Sequence, residues 1–362
     1  MYFGYFMFTL LSIVSALSLS LASATEFKPA ASQPLTLQAQ LPLTAQMQQL
    51  QQALQFAPND SERVQLAQLY LQGARRPGFD DWFHQAEKLL DIISDDGRQS
   101  LHYLIVLADI QQQQHQFAAA LHSLRQVLAQ QPQHIQANLM ATRVYLALHQ
   151  PDAAQQACSR LWQQDLFLFS VCSYEVAGRR GDWQQSYAAL QQLWQRQQSL
   201  PPELDIWMRG ILAEQAEQLG LTATAQQWLT PVLAQAPTSL WLKWADLSLA
   251  LGQADWVYQQ LTALAQQQNL ADSLLLRLVL AEQTLAKTAQ FSEQLHQRMQ
   301  LRLARGDTEH AADLVHYFLY VAPDPAAALY WAELNYQTAK EPDDKRLLQL
   351  SQQALQHTTG LN

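Results

Sequence analysis

The residues with the most specific chemistry in this sequence are its two cysteines, Cys158 and Cys172. The hydrophobic periodicity places Cys158 in one helix and Cys172 in the next, each seven residues from a turn near Asp165. Residues equidistant from a turn between antiparallel helices face each other, so the spacing favours a disulfide. The alternative is a pair of buried free thiols that pack as small apolar groups. No CxxC spacing is present, which argues against a redox-active role.

A second group with chemical potential is His310, Asp313 and His316, at three-residue steps on one predicted helix. Successive members lie about 60° apart around the helix axis, so the three can border one face. The spacing differs from HExxH, and histidines six residues apart share one ion poorly. These residues are therefore weak metal candidates. We expect no metal and no cofactor, and we interpret these histidines as hydrogen-bonded or solvent-facing.

Catalytic signatures are absent. The sequence contains no GxSxG, no GxxxxGK[ST] and no GxGxxG after a strand. These motifs place a nucleophile or cradle a phosphate. The carboxylates fall at predicted helix starts and turns, where they cap free N–H groups. The sequence therefore predicts a protein that is not an enzyme.

The stretch IWMRGILAEQAEQLGLTATAQQWLTPVLAQAP, residues 206–237, shows how the chain is organised. Small residues stand where two helices must approach closely, Gly220 separates the two helices, and Pro237 ends the unit. This order of residues resembles a tetratricopeptide repeat, whose period is about 34 residues. One such hairpin cannot bury its apolar face alone, so similar units must stack on both sides.

The resemblance extends along most of the chain and implies an all-α fold, an α-solenoid of tetratricopeptide-like hairpins in a right-handed superhelix, over residues 44–357. Residues 47–58 look like half a repeat that caps one end. The C-terminal part allows two registers. One makes 292–323 a unit and leaves the helix 271–286 without a partner. The favoured one pairs 271–286 with 291–305 and 308–321 with 325–338, and leaves 343–357 as a closing helix.

The N-terminal segment predicts export. Residues 1–24 are apolar and end in Ala22-Ser23-Ala24, a pattern that signal peptidase accepts, although no lysine or arginine precedes the apolar run. Cleavage gives a periplasmic protein without membrane insertion. An uncleaved segment would anchor the protein to the inner membrane. Residues 25–43 contain three prolines and read as a flexible tether, and 358–362 as a disordered tail.

Composition limits the partners. The net charge is −9, charged residues make up 15% of the chain, and glutamine supplies much of the polar surface. A phosphate backbone repels such a surface, so nucleic-acid binding is disfavoured. We expect a protein or peptide partner. The sequence leaves the oligomeric state open.

The first helix of each hairpin lines a concave groove in tetratricopeptide proteins, and this resemblance gives the candidate contact residues. Tryptophans near one stretch of the groove are suggestive, because aromatic anchors dominate interface energetics. The alternative is that Trp207 and Trp241 pack between successive hairpins. The groove candidates are His102, Asp109, Arg143, Glu175, Arg179, Trp207, Glu214, Trp241 and Trp244.

A narrower resemblance covers residues 270–355. It is carried by LLLRLVLAEQ at 274–283, RLARGDTEH at 302–310 and ALYWAELNYQTAKEPDDKRLL at 328–348. These segments resemble exported bacterial tetratricopeptide proteins of uncharacterised role, and the three residues after His310 depart from that pattern. The resemblance implies no reaction. The predicted function is a periplasmic interaction scaffold. A metal-handling accessory and a membrane-anchored envelope assembly factor are the alternatives.

Overall fold

A computed structural model of the protein describes residues 43–79, 81–267 and 270–359. The predicted signal segment 1–24, nearly all of the tether 25–43 and residues 360–362 of the predicted tail lie outside these ranges. Within the ranges no helix is long and apolar enough to cross a membrane. The described residues form eighteen α-helices and no strand, which are α1 Ala45–Phe56, α2 Asp60–Ala74, α3 Trp82–Asp91, α4 Leu101–Gln113, α5 Phe117–Gln130, α6 Ile135–Ala147, α7 Pro151–Ser159, α8 Leu166–Arg179, α9 Trp183–Gln195, α10 Pro202–Gln218, α11 Thr222–Leu229, α12 Thr238–Ala250, α13 Ala254–Gln267, α14 Asp272–Thr284, α15 Ser292–Arg305, α16 Ala311–His316, α17 Pro325–Thr338 and α18 Pro342–Thr359.

The helices form a stack of hairpins. From α2 to α17, each even-numbered helix is followed by an odd-numbered helix that packs against it. The even-numbered helices also touch one another in succession, as α2 does α4 and α4 does α6, and so form one continuous layer. Helix α1 covers α2 as half a hairpin at one end. This arrangement confirms the predicted all-α solenoid.

The C-terminal helices follow the favoured register. Helix α14 precedes α15, α16 precedes α17, and α18 packs on both α16 and α17. A π-helical turn, Tyr317–Val321, continues α16. No helix of the described C-terminal part is left without a neighbour.

Helix boundaries follow from local chemistry. Ser100, Asp165 and Asp324 cap their helices by accepting a hydrogen bond from a backbone N–H of the first turn. Proline stands in the first turn of α7, α10, α17 and α18, where its missing N–H has no helical partner to lose. Gly220, with a φ of +75°, closes α10 by adopting the left-handed conformation that only glycine reaches without strain.

The hairpin of α10 and α11 contributes to the largest hydrophobic cluster of the described core. Leu212, Ala213, Ala225 and Leu229 have no exposed surface, as their spacing predicts. After α11 the chain continues as a 3₁₀ helix, residues 230–235. The tighter winding turns Leu233 into the core and leaves Val232 only partly buried.

Buried ion pairs also join α14 to α15. The Asp272 carboxylate, almost wholly buried, lies 3.0 Å from Arg298 Nη1 and 2.5 Å from Arg302 Nε. Glu282, also buried, accepts from the backbone N–H groups of Gln290 and Phe291 and so caps α15 from the neighbouring helix. Removing one member of such a buried cluster leaves an uncompensated charge, so the cluster fixes how the two helices meet.

A disulfide joins Cys158 in α7 to Cys172 in α8, the pair for which the spacing favoured a bridge. The two Cα atoms are 5.7 Å apart, within the normal range for a disulfide. Both residues are fully buried, and the Thr142 hydroxyl lies 3.6 and 3.5 Å from their sulfurs. The bridge therefore ties the α6–α7 hairpin to the next one inside the core.

Replacing both Cys158 and Cys172 by alanine is expected to lower the free energy of unfolding by about 3 kcal/mol, because the bridge closes a short loop in the unfolded chain. Urea denaturation followed by circular dichroism measures this loss. Wild-type protein unfolded in reducing agent is the control and should lose a similar amount. An unchanged urea midpoint in both samples would show that the bridge contributes nothing to stability.

Candidate partner groove

Polar side chains link the even-numbered helices across one face of the stack. His102 Nε2 lies 2.8 Å from Gln68 Oε1, and Arg75 contacts both carboxylate oxygens of Asp109 at 2.5 and 2.6 Å. Each of these pairs is separated by 34 residues, the repeat length, so its members occupy equivalent positions in successive hairpins. We call this row of paired polar groups the charge ladder.

The charge ladder continues in the second half of the stack. Arg179 Nε lies 2.7 Å from Glu214, and Lys243 Nζ lies 2.7 Å from Glu217. Arg277 then donates from two nitrogens to Asp246, each at 2.9 Å. Helices α8, α10, α12 and α14 are thus joined by ion pairs on the same face.

The middle of the ladder is different. Arg143 on α6 and Glu175 on α8 interact electrostatically, and Arg143 also interacts electrostatically with Asp109 and Arg75. Within the described residues, neither Arg143 nor Glu175 forms a salt bridge or a hydrogen bond through its side chain. Two charged groups at the centre of the face are therefore available to a ligand.

The stack curves until distant parts of the chain meet. The backbone N–H of Thr238 donates to the carbonyl oxygen of Arg75 at 2.8 Å, and the Thr238 hydroxyl donates to the same oxygen at 3.2 Å. This contact joins the end of α2 to the start of α12. The face that carries the charge ladder is therefore the inside of a ring rather than an open trough.

The ring encloses a water-accessible chamber of about 900 Å³. Its wall combines basic, acidic and apolar groups, and it lies within the usual size range of binding sites. The charged and aromatic side chains of the wall include Arg143, Glu175, Arg179, Trp207, Glu214 and Lys243.

Enclosure by protein shifts the pKa values of the chamber's carboxyl groups. Burial raises the pKa of Glu175 to about 7, and the charges of Glu214 and Glu341 add to this effect while Arg179 and Arg143 oppose it. Burial likewise raises the pKa of Glu214 against the influence of Arg179. Glu175 therefore exchanges a proton near neutral pH.

The basic groups of the chamber stay charged. Burial lowers the pKa of Arg143, with Arg75 as the next cause, and an arginine remains protonated even so. Burial also disfavours the charged form of Lys243, but Asp343 and Glu217 outweigh it and raise the pKa of Lys243. The chamber thus holds fixed positive charges beside a carboxyl group that titrates.

Five of the predicted groove residues line the chamber, which are Arg143, Glu175, Arg179, Trp207 and Glu214. His102 and Asp109 lie in the charge ladder, paired with Gln68 and Arg75, and do not belong to the chamber wall. That any of these residues binds a partner stays a prediction.

Trp241 and Trp244, both candidates for the groove, do not face it, and for Trp241 the alternative of packing between helices describes the structure. Trp241 is 6% exposed, and Trp244 has no exposed surface. Trp244 packs edge to face on Trp241 and Trp256, and its Nε1 donates to Thr230. Their side chains point into the core between α12 and its neighbours, because an indole buries more apolar area there than in a chamber filled with charges.

Trp207 both packs between hairpins and lines the groove, the two arrangements that the sequence left open for it. It packs against apolar side chains of two core clusters and also borders the chamber. Its Nε1–H group is buried and has no hydrogen-bond partner among the described residues. A buried donor without a partner costs free energy, so apolar packing rather than a hydrogen bond sets the position of this indole.

Sequence reasoning missed Lys243 and residues 341–343, which also line the chamber. The available signal for Lys243 was its place on a first helix, where Arg143 and Glu214 also stand. For residues 341–343 no local signal existed, because Asp343 and the Lys243 that it contacts are 100 residues apart.

The weak metal candidates His310, Asp313 and His316 do not share a common site, because His310 and His316 contact different side chains. His310 Nδ1 lies 3.0 Å from Asp307, whereas His316 Nε2 accepts a hydrogen bond from Arg277 at 3.0 Å. Burial, and then the charge of Arg277, lower the pKa of His316 to about 3. Asp313 lies 4.0 Å from the same guanidinium. In the part of the chain that the structure describes, no group of His, Cys, Asp or Glu residues is placed to hold a metal ion.

Substituting Glu175→Gln is expected to stabilise the protein above pH 7 but much less at pH 5. The folded state binds the Glu175 proton more tightly than the unfolded chain does, so wild-type stability falls as the pH rises from about 4.5 to about 7. The gain in unfolding free energy should be about 2 kcal/mol larger at pH 8 than at pH 5. Urea denaturation of both proteins at both pH values measures this, and equal differences at the two would contradict it.

Comparisons with known proteins agree with this geometry at the level of the repeat. Residues 112–166, which span α5, α6 and α7, match the tetratricopeptide repeat family model. No curated protein sequence matches the chain.

Among solved structures, a tetratricopeptide repeat protein from Parabacteroides merdae is 14% identical over 71% of this chain and 91% of its own, with a TM-score of 0.43. A thermophilic tetratricopeptide protein from Thermus thermophilus is 19% identical over 53% of this chain and 100% of its own, with a TM-score of 0.42. The packing of its helices makes the chain an α-solenoid of helical hairpins, and residues 112–166 match the tetratricopeptide repeat family model.

Proposed function

We propose that this protein is a periplasmic scaffold, without enzymatic activity, that binds a segment of a partner protein in the chamber on its concave face. The tetratricopeptide-like fold supports a role in protein–protein interaction. The main observation behind the proposal is that Arg143 and Glu175, at the centre of the chamber, have no ion-pair partners among the described residues.

The chemistry of the wall suits a peptide segment. A peptide backbone offers carbonyl groups that can accept from the Arg143 guanidinium, which borders the chamber. Its side chains can supply a carboxylate to Arg143 and a donor to Glu175. Apolar side chains of the same segment can contact Ile206 and Leu240, which border the chamber beside these charges. One extended segment therefore satisfies each kind of group present.

Two observations support export. Residues 1–24 carry the apolar run and the Ala22-Ser23-Ala24 end that signal peptidase accepts. The Cys158–Cys172 disulfide is of a kind that forms and persists in oxidising compartments such as the bacterial periplasm. Together they favour a mature protein that works in the envelope.

The binding proposal predicts that a photo-crosslinking residue at position 143 captures a partner protein in living cells. Position 125 is the matched control, because Arg125 is also an exposed arginine but lies on α5, an odd-numbered helix outside the chamber. We expect a discrete crosslinked product from position 143 and none from position 125. Arg143→Ala should then weaken the purified complex about tenfold, as truncating an interface arginine does. Equal products from both positions, or none from 143, would refute the proposal.

The export proposal predicts a mature chain that begins at Thr25 and is released with the periplasmic fraction. Mass spectrometry of the purified protein measures the N-terminus, and a mass increase of two hydrogen atoms on reduction reports the disulfide. A membrane-bound chain that retains residues 1–24 would instead support the anchored assembly factor. A reduced, full-length chain in the cytoplasmic fraction would overturn export in either form.

A further inference from the structure

The start of α18, with the residue that precedes it, lies across the interior of the ring. Asp343 Oδ2, in the first turn of α18, is 2.6 Å from Lys243 Nζ on α12. Arg346, one turn later, places Nη1 3.4 Å from Glu217 on α10. These contacts bridge 100 and 129 residues of sequence. Residues 341–346, which we call the crossing segment, therefore occupy the concave face and contact the charge ladder directly.

The crossing segment divides the interior into two spaces. Glu341, Pro342 and Asp343 border the 900 Å³ chamber on one side and a second cavity of about 530 Å³ on the other. Arg179 and Gln218 border both cavities. Without the crossing segment the two cavities would be one continuous groove. The segment therefore fills the volume that a bound peptide would fill.

The contacts of the crossing segment are asymmetric. On the solenoid side, the side chains of Lys243 and Glu217 are only 19% and 16% exposed. On the segment side, those of Asp343 and Arg346 are 55% and 56% exposed. Partly exposed ion pairs contribute little to stability, so the segment is held weakly at its centre.

The flanks of the crossing segment are anchored more firmly. Ala339 and Leu347, one on each side, are 4% and 6% exposed and pack into the hydrophobic core. Lifting the segment from the groove is then a local opening that unwinds the first turns of α18 and breaks the 2.7 Å hydrogen bond from Asn335 to Asp344, while α17 and the rest of α18 stay folded.

The charges of the crossing segment define what could replace it. Asp343 pairs with Lys243, and Glu341 borders the same two cavities as Arg179 and interacts with it electrostatically without a salt bridge, so two carboxylates at positions i and i+2 lie near two basic groups of the ladder. When the segment leaves, the largely buried Lys243 loses one of its two carboxylate partners. A buried charge without compensation is unfavourable, and a new carboxylate restores the compensation.

We propose that the crossing segment is an intramolecular mimic of the partner, and that the partner binds through an acidic segment that displaces it from Lys243 and Arg179. This inference rests on the proposed function, because it assumes that the chamber binds a protein segment. It adds the chemistry of that segment, two carboxylates spaced two residues apart, and it makes binding a competition between the two segments.

The test uses the crossing segment itself as a free ligand. A fluorescein-labelled peptide, AKEPDDKRLL, reproduces residues 339–348. The protein variant Asp343→Ala/Arg346→Ala removes both crossing ion pairs and leaves Lys243 and Glu217 in place. Fluorescence anisotropy is expected to show roughly tenfold tighter peptide binding by this variant than by wild type, because the closed state lowers apparent affinity in proportion to its population.

Two controls test the chemistry. The variant Asp152→Ala/Arg180→Ala removes a surface ion pair of the same two residue types and should bind the peptide as weakly as wild type does. A peptide carrying Glu341→Gln and Asp343→Asn should not bind to the opened variant. Adding Lys243→Met to the opened variant should abolish binding, and its circular dichroism melting curve shows whether it is folded.

Hydrogen exchange gives a readout that does not depend on the peptide. In the opened variant the amides of residues 343–346 should exchange faster than in wild type, while those of α14 keep their protection. Unchanged exchange together with unchanged peptide binding overturns the inference. If position 143 still crosslinks a partner in that case, the chamber remains a binding site and only the acidic mimic is wrong. If position 143 captures nothing, the proposed function fails as well.

Discussion

The structure depends on the inability of any one hairpin to bury its apolar face by itself. Each pair of helices needs neighbours on both sides, so the core becomes continuous along the stack. Residues with no exposed surface recur at the helix contacts of successive hairpins, among them Ala108, Ala120, Ala154 and Ala225. Alanine allows helices to approach closely at each contact, and a similar approach at every step bends the stack in one direction. The curvature that encloses the chamber is thus a consequence of how the core packs.

Curvature forces charged groups together on the inner face. In the charge ladder, a basic group has an acidic neighbour on the next even-numbered helix, as in Arg75 with Asp109 and Arg179 with Glu214. This pairing reduces repulsion between like charges on the inner face. Desolvation cancels much of the attraction in enclosed pairs, so these pairs add little net stability. Their effect is on specificity, because a ligand entering the chamber meets charges that are already fixed in place. The exception is the centre, where Arg143 and Glu175 remain without a salt bridge in the described structure.

The sequence was sufficient for the fold because its signals are local. Small residues, turn glycines and the 34-residue period define each hairpin, and the spacing of Cys158 and Cys172 around one turn indicates their contact. The same local signals could not predict which side chains of a helix face the chamber and which face the core. Trp241, Lys243 and Trp244 are close together on α12, yet the tryptophans enter the core and the lysine enters the chamber. Which face is concave depends on curvature accumulated over several hairpins, and no local pattern encodes that sum.

The same reasoning explains why charged side chains, more than aromatic ones, line the chamber. A helix that packs on neighbours through most of its circumference leaves only a narrow strip facing inward, and large apolar side chains gain more from the core than from that strip. Long charged side chains occupy it instead, since their stems pack while their charged ends reach water. Because ladder groups such as Arg179 and Lys243 already have partners, a ligand gains affinity there by exchanging one carboxylate for another rather than by adding one. In such a site, the net affinity for a ligand is the free energy of the new carboxylate contact minus that of the contact it replaces. A small change in the weakly held crossing segment therefore raises or lowers the affinity.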